Sequence, residues 1–370
     1  MVYIKKERTN EFMKKERLNK VLGAMAERNI SQMLISDPAS IFYLTRKWIE
    51  PGERMLALYL NAAGDHKLFV NELFQVPEDL GAEKIYFNDS QNGIKILSQY
   101  IDKRVPMGVD KNWPARFLLA MMTYKGDSAF VNTSEIVDKI RACKDNGERT
   151  AMREASRLND LVMGKLIERV QGQYTEKKLA QLLLGIYEET GADGCSFAPI
   201  IAYGANAADP HHEPEHSQLK AGDCVIMDIG CKKNAYCSDM TRTVFYKYAS
   251  EHGKKVYSIV AEANKRAIDA IKPGVRFCDI DAAARDHIEA AGYGKGFVHR
   301  TGHSIGLEVH EFGDVSAVNT ERVQPGNIFS IEPCIIVPGE LGIRVEDLVL
   351  VTEDGCEVLN KYTKELTIVE

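Results

Sequence analysis

The sequence predicts an α/β domain followed by a larger α+β domain built from two similar halves. Three observations carry this. Residues 10 to about 135 alternate between strand-like and helical periods, the pattern of a layered α/β unit. Near residue 140 the polar stretch "SEIVDKIRACKDNGERT" opens a new helical run. Beyond it, helices lead to an apolar strand pair twice over, and each pair carries two acids. The expected domains are residues 1–140 and 141–370.

In the first domain, Phe12, Leu18, Val21, Leu22 and Met25 recur at helical spacing. "QMLIS", "MLALYL", "KLFV" and "KIYF" read as strands, and "GIKILSQYI" and "RFLLAMMTY" as helices. No His, Cys or acidic cluster at ligand spacing occurs there, so this domain is expected to be non-catalytic. In the second domain, "ERTAMREASRLNDLVMGKLIERV" is helical. Thr175 can cap a helix with Leu179, Leu182, Leu183 and Ile186 on one face. A longer helix carries Val256, Ile259, Val260, Ala263, Ile268 and Ile271 and stops at Pro273-Gly274. Another carries Ile280, Ala283, Ala284, His287 and Ile288 and ends at Gly292.

The 370 residues suggest two or three domains. Hydrophobic residues make up 45%, enough for sizeable cores, and a net charge of −6 gives no support for a nucleic-acid or anionic-membrane partner. The start is charged, and the apolar runs are too short to span a membrane. Eight cysteines at irregular spacing, with no C-x-x-C pair, read as reduced thiols of a cytoplasmic protein.

"VIMDIGCKKNAYCSDMTRTVF", residues 225–245, reads as a hairpin with "CKKNAY" as a polar connection. Asp228 sits inside its first arm and Asp239 opens its second. Glu332 and Glu346 interrupt "NIFSIEPCIIV" and "IRVEDLVLV" in the same way, while Asp347 reads as solvent-facing. Four carboxylates in an apolar centre repel one another and need protons or cations. Carboxylate oxygen suits Mn²⁺, and added imidazole extends the range to Co²⁺, Fe²⁺ or Zn²⁺. "HRTGHSIGLEVHEFG" offers that imidazole in His299, His303 and His310. Four acids can bridge and cap two ions, and a hydroxide held between such ions is a strong nucleophile at neutral pH. "GYGKGF" follows a helix rather than preceding one, so it reads as a loop and not a phosphate cradle. No G-x-S-x-G motif supports serine chemistry.

"PHHEP", "MDIG", "SDMTRT", "HRTGHSIGLEVHE", "SIEP" and "IRVEDLVLV" come in this order along the chain. In them the C-terminal domain resembles the pita-bread metallopeptidases, the family of methionine aminopeptidase, aminopeptidase P and prolidase. "DPASIFYLT" and "ERMLALYL" resemble the accessory domain of the Xaa-Pro branch. The resemblance implies that Asp228, Asp239, His303, Glu332 and Glu346 hold two divalent ions, Mn or Co foremost. It implies a proton-shuttling role for Glu332, oxyanion roles for His211 and His310, a substrate-binding role for Arg344, a proline-containing peptide as substrate, and a homodimer. The alternatives on the same fold are a creatinase-like hydrolase and a non-enzymatic binding protein, both of which lack the full ligand set. Three departures stand out: Ser304 in "GHS", Cys334 in "EPC" and Asp314 where related prolidases carry arginine. Cys334 adds a soft or oxidisable group near the metals. Asp314 would repel a substrate carboxylate if it pointed there, so longer peptides are expected to be cleaved at least as well as dipeptides.

Overall fold

The computed structural model describes residues 13–77, 80–125 and 129–370. The chain divides into two compact units, Met1–Arg141 and Ala142–Glu370. Among the described residues no helix is long and apolar enough to cross a membrane. Phe12 lies outside the described residues.

The first unit runs α1 (Lys15–Glu27), β1 (Gln32–Ile35), α2 (Pro38–Thr45), β2 (Ala57–Asn61), β3 (Lys67–Asn71), β4 (Glu83–Phe87), α3 (Gly93–Leu97), β5 (Met107–Val109), α4 (Ala115–Lys125), β6 (Phe130–Asn132) and α5 (Ser134–Ala142). Its six strands form one mixed sheet in the order β4-β3-β2-β1-β5-β6. The helix in "GIKILSQYI" covers only α3, capped by the Asn92 side chain on Lys95 N. β5 lies inside the sheet, parallel to both β1 and β6. Its three residues are too few to show a period, which hid it in the sequence.

The second unit opens with α6 (Asn146–Val170) and α7 (Glu176–Thr190). Asp145 and Glu148 form a reciprocal capping box on α6, and Thr175 caps α7 by accepting from Lys178 N. Then come β7 (Gly194–Cys195), β8 (Ile200–Tyr203), β9 (Cys224–Ile229), β10 (Cys231–Lys233), β11 (Tyr236–Cys237) and β12 (Met240–Tyr246). The second half repeats the plan with α8 (Glu251–Asp269), α9 (Phe277–Ala290), β13 (Gly302–His303), β14 (Asp314–Val315), β15 (Ile328–Ile331), β16 (Cys334–Val337), β17 (Leu341–Arg344), β18 (Asp347–Val351), β19 (Cys356–Val358) and β20 (Thr367–Val369).

β9 is buried along its whole length because both of its faces are covered. Val225, Met227 and Ile229 pack with α6 and α7, while Cys224 and Ile226 pack with α8 and α9. Side chains alternate along a strand, so Asp228 falls on the face of Cys224 and Ile226. Its partner on β12 is Thr241, and Asp239, two residues before Thr241, shares that face.

The polar connection "CKKNAY" is more ordered than a loop. β10 and β11 continue the hairpin as an outer arm, and β10 also pairs with β7. The turn sits at Asn234-Ala235, both with positive φ, the backbone a two-residue hairpin turn requires. Between the two arms the Ser238 hydroxyl accepts from Cys231 N at 2.9 Å.

Candidate metal centre

Asp228, Asp239, His303, Glu332 and Glu346 converge on one cleft of 650 Å³ in the second unit. His211, His299, Arg300, His310 and Arg344 line it as well. Asp228 lies on β9, and Asp239 directly precedes β12. His303 ends β13, and its backbone N–H donates to Ser330 Oγ at 3.0 Å. Glu332 follows β15 directly and donates its N–H to Thr301 O. Glu346 lies in the short link between β17 and β18, where its N–H reaches Thr241 O at 3.1 Å. That bond and the Thr241 Oγ1–Glu346 Oε2 bond of 2.7 Å join the two halves beneath the site.

Asp239, His303 and Glu346 each offer a ligand atom, and the three atoms lie within 4.8 Å of one another. His303 Nε2 is 3.7 Å from Asp239 Oδ2 and 3.5 Å from Glu332 Oε1. Arg344 Nη2 stands 3.0 Å from Asp228 Oδ2, and Nη1 stands 4.0 Å from Glu332 Oε2. The His303 and His310 rings meet edge to face at 4.2 Å.

The electrostatics of this cluster are those of acids crowded out of water. Burial pushes Asp239 and Glu346 well above the carboxylate range, and repulsion from neighbouring carboxylates adds to it. Burial also raises Asp228, against the pull of Arg344, and lifts Glu332 to about 7. His303 is lowered by burial to about 3, which keeps its ring neutral. His310 is lowered as well, by burial and then by Arg300. Burial opposes the charge on Arg344, but Asp228, Glu332 and Glu346 outweigh it and hold it protonated.

Asp228 Oδ1, Asp239 Oδ1 and Glu346 Oε1 are buried and have no hydrogen-bond partner among the described residues. Orphaned carboxylate oxygens are rare because each costs desolvation, and here three belong to residues that line one cleft beside a neutral imidazole. The donor set is oxygen-rich with one nitrogen, as hard and borderline divalent ions require. The residues present therefore fit a divalent cation.

One expectation is corrected by the geometry, and two departures are placed by it. Asp347 does not face solvent: it is fully buried and holds Arg242 at 2.7 Å and Lys364 at 2.7 Å. Strand alternation fixes this, since Glu346 and Asp347 point to opposite sides. Cys334 is buried, and burial pushes its thiol up to about 12. Asp314 pairs with Arg300 at 3.8 Å, and Arg300 is the member of that pair on the cleft wall.

His299 acquires a place that its sequence position alone did not give. Its Nδ1 faces Arg300 O at 2.6 Å, burial lowers it to about 4, and its Nε2 is buried without a partner. The signal was its position four residues before His303 in one motif.

A buried acid–imidazole centre at the junction of two similar half-domains defines a metal-dependent hydrolase. Residues 150–353 match the model of metallopeptidase family M24, and residues 17–143 match the creatinase/prolidase N-terminal domain. The chain belongs to metallopeptidase family M24. It is 34% identical over 359 residues to an uncharacterized peptidase of Staphylococcus haemolyticus, covering 94% of this chain and 99% of that one. Among solved structures it is similar to a prolidase from Thermococcus sibiricus, with a TM-score of 0.91, 32% identity, and coverage of 96% and 99%. A dipeptidase from Pyrococcus horikoshii matches with a TM-score of 0.88 and 33% identity, over 95% of this chain and all of that one.

Proposed function

We propose that this metallopeptidase hydrolyses the Xaa-Pro bond at the start of peptides or in Xaa-Pro dipeptides, with two divalent ions held by Asp228, Asp239, His303, Glu332 and Glu346. The observation that carries the reading is the set of orphaned, buried carboxylate oxygens around His303. Mn²⁺ or Co²⁺ suits these donors best, with Zn²⁺ and Fe²⁺ next. When bound, such ions supply Lewis acidity and bring water ionisation toward neutral pH.

The protein's own groups divide the remaining work. Glu332 can take a proton from the attacking water and return it to the leaving nitrogen. Ser330 Oγ orients it from 3.1 Å. His211 and His310 stand on the cleft wall, where ring N–H groups can donate to the carbonyl oxygen as charge develops. Arg344 steadies Asp228. Phe197, Ile200, Pro210, Val298 and Val309 give the cleft an apolar wall suited to a proline ring. A proline at the scissile bond presents a tertiary amide with a fixed φ, which favours a preformed apolar seat.

A homodimer belongs to the same proposal. Leu73, Leu119 and Met122 are at least half exposed on the first unit, and sedimentation at micromolar concentration tests it. For the peptidase itself, metal-stripped protein is reconstituted with Mn²⁺ or Co²⁺ and proline release from an Xaa-Pro peptide is measured. Release that depends on metal, at two ions per chain, is the expected result. Full activity in the chelated protein, or none with both ions bound, would falsify the reading.

A further inference from the structure

No hydrogen bond among the described residues fixes the His211 or His310 ring directly. Each is instead followed in the chain by a residue whose side chain is held by a buried, oppositely placed partner. His212 Nε2 lies 2.7 Å from Glu176 Oε2, and the Glu176 side chain is fully buried. Glu176 also accepts from Tyr203 N at 2.8 Å, Asn206 Nδ2 at 3.0 Å and Glu215 N at 3.1 Å. One carboxylate thus takes four donors, all from the segment 203–215 that carries His211. On the other side, Lys144 Nζ stands 2.9 Å from Glu311 Oε2, with 1% and 4% of the two side chains exposed. Glu311 Oε1 accepts from Leu307 N at 2.9 Å and, more weakly, Glu308 N at 3.4 Å, closing the turn that carries His310.

Both anchors start from one rigid frame. Glu176 is the first residue of α7, where the positive end of the helix favours a carboxylate. Lys144 directly precedes Asp145, the cap of α6. Leu158, Val162 and Leu166 of α6 share a single core with Leu179 and Leu183 of α7. A fully satisfied buried network is rigid, because any displacement leaves donors or charges unpaired away from water.

We infer that Glu176 and Lys144 are positioning residues for the hydrolysis proposed above: through His212 and Glu311 they fix where His211 and His310 present their ring N–H groups. The inference rests on the peptidase reading for its kinetic consequence, though not for its structural one. Glu176→Gln keeps the shape but turns an NH₂ toward two of the four donors. A displacement of about 1 Å in such a group costs on the order of 10²-fold in rate.

The test is a double-mutant cycle in the metal-loaded enzyme. Glu176→Gln is expected to lower kcat about 10–100-fold, with KM and metal content within about twofold of the parent. In a His211→Ala background the same substitution should change kcat by less than about twofold, because residues acting through one group are not additive. Lys144→Met should behave alike against His310→Ala. Equal losses in both backgrounds, or metal lost in step with activity, overturn the inference. His212→Gln, which retains a donor toward Glu176, should keep most of the activity that His212→Leu loses, and this pair serves if Glu176→Gln does not fold. A second readout needs no catalysis. In ¹⁵N-histidine-labelled protein, Glu176→Gln should shift the ring signals of His211 and His212 and leave that of His303 in place. An unmoved His211 signal sinks the inference, whereas a wild type inactive on every Xaa-Pro peptide sinks only the peptidase reading.

Discussion

Arg344 Nη2 lies 3.0 Å from Asp228 Oδ2, and both side chains are about nine-tenths buried. The contact joins Asp228, a proposed ligand on β9 of the first half, to the last residue of β17 in the second. Buried groups that orient ligating carboxylates typically govern metal affinity by 10–100-fold. Arg344→Ala should therefore weaken metal binding by about 10–100-fold, read by equilibrium dialysis and elemental analysis. Arg344→Lys should restore the charge but not the forked geometry, and so recover only part of the affinity. Unchanged affinity in Arg344→Ala would remove Arg344 from the metal centre and leave it a substrate contact.

Metal-free protein should lose stability as pH rises from 6.5 to 8. Glu332 titrates at about 7 in the fold, and Asp239 and Glu346 lie well above their ordinary values. In that window the unfolded chain has released the Glu332 proton while the native state still holds part of it. Retaining that proton makes stability fall as pH rises, most steeply below about 7. His299 and His303, at about 4 and about 3, have the opposite sign. Their contribution is complete well above pH 6.5 and is lost as pH falls through 6.5 toward their folded values, so it rises only slightly at the lower end of the window. Metal binding needs deprotonated ligands, so the loaded protein should lack this loss. Denaturant titrations at pH 6.5, 7.2 and 8, with and without chelator, read the difference. A chelated protein equally stable at all three would show that the acids are not crowded as described.

His310→Ala should lower kcat by about 10²–10³-fold, the usual loss for one oxyanion donor. Metal content should stay near that of the parent, because the triad of Asp239, His303 and Glu346 does not include it. Metal lost in proportion to activity would make His310 a ligand or a support for His303, whose ring it touches.

Substrate length turns on Arg300 and Asp314. From the sequence, Asp314 would repel a substrate carboxylate if it pointed into the site; in the structure it stands 3.8 Å from Arg300, and Arg300 lines the cleft. Arg300→Ala should then reduce kcat/KM for an Xaa-Pro dipeptide more than for the same sequence extended by two residues, since only the dipeptide places its carboxylate beside the scissile bond. Equal reductions for both would place the carboxylate elsewhere.

The sequence by itself determined the parts whose signal is local. Helical period marked α6, α7, α8 and α9, with a cap at Thr175 for α7, because an amphipathic helix writes its buried face at fixed spacing. Acids inside β-branched runs marked Asp228, Asp239, Glu332 and Glu346, because an uncompensated carboxylate in a strand is costly wherever that strand packs. Short or paired elements were not legible. β5 and β6 have three residues each, and β10 and β11 exist only through pairing. Only the tertiary structure decided which charges meet. Asp347 and Glu346 are neighbours in sequence, yet one is held by Arg242 and Lys364 while the other joins Asp239 and His303. Glu176 and His212 lie 36 residues apart, and Lys144 and Glu311 lie 167 apart. Long-range pairing of charges depends on chain crossings that no spacing rule encodes, because its energy arises only once water has been excluded from both partners.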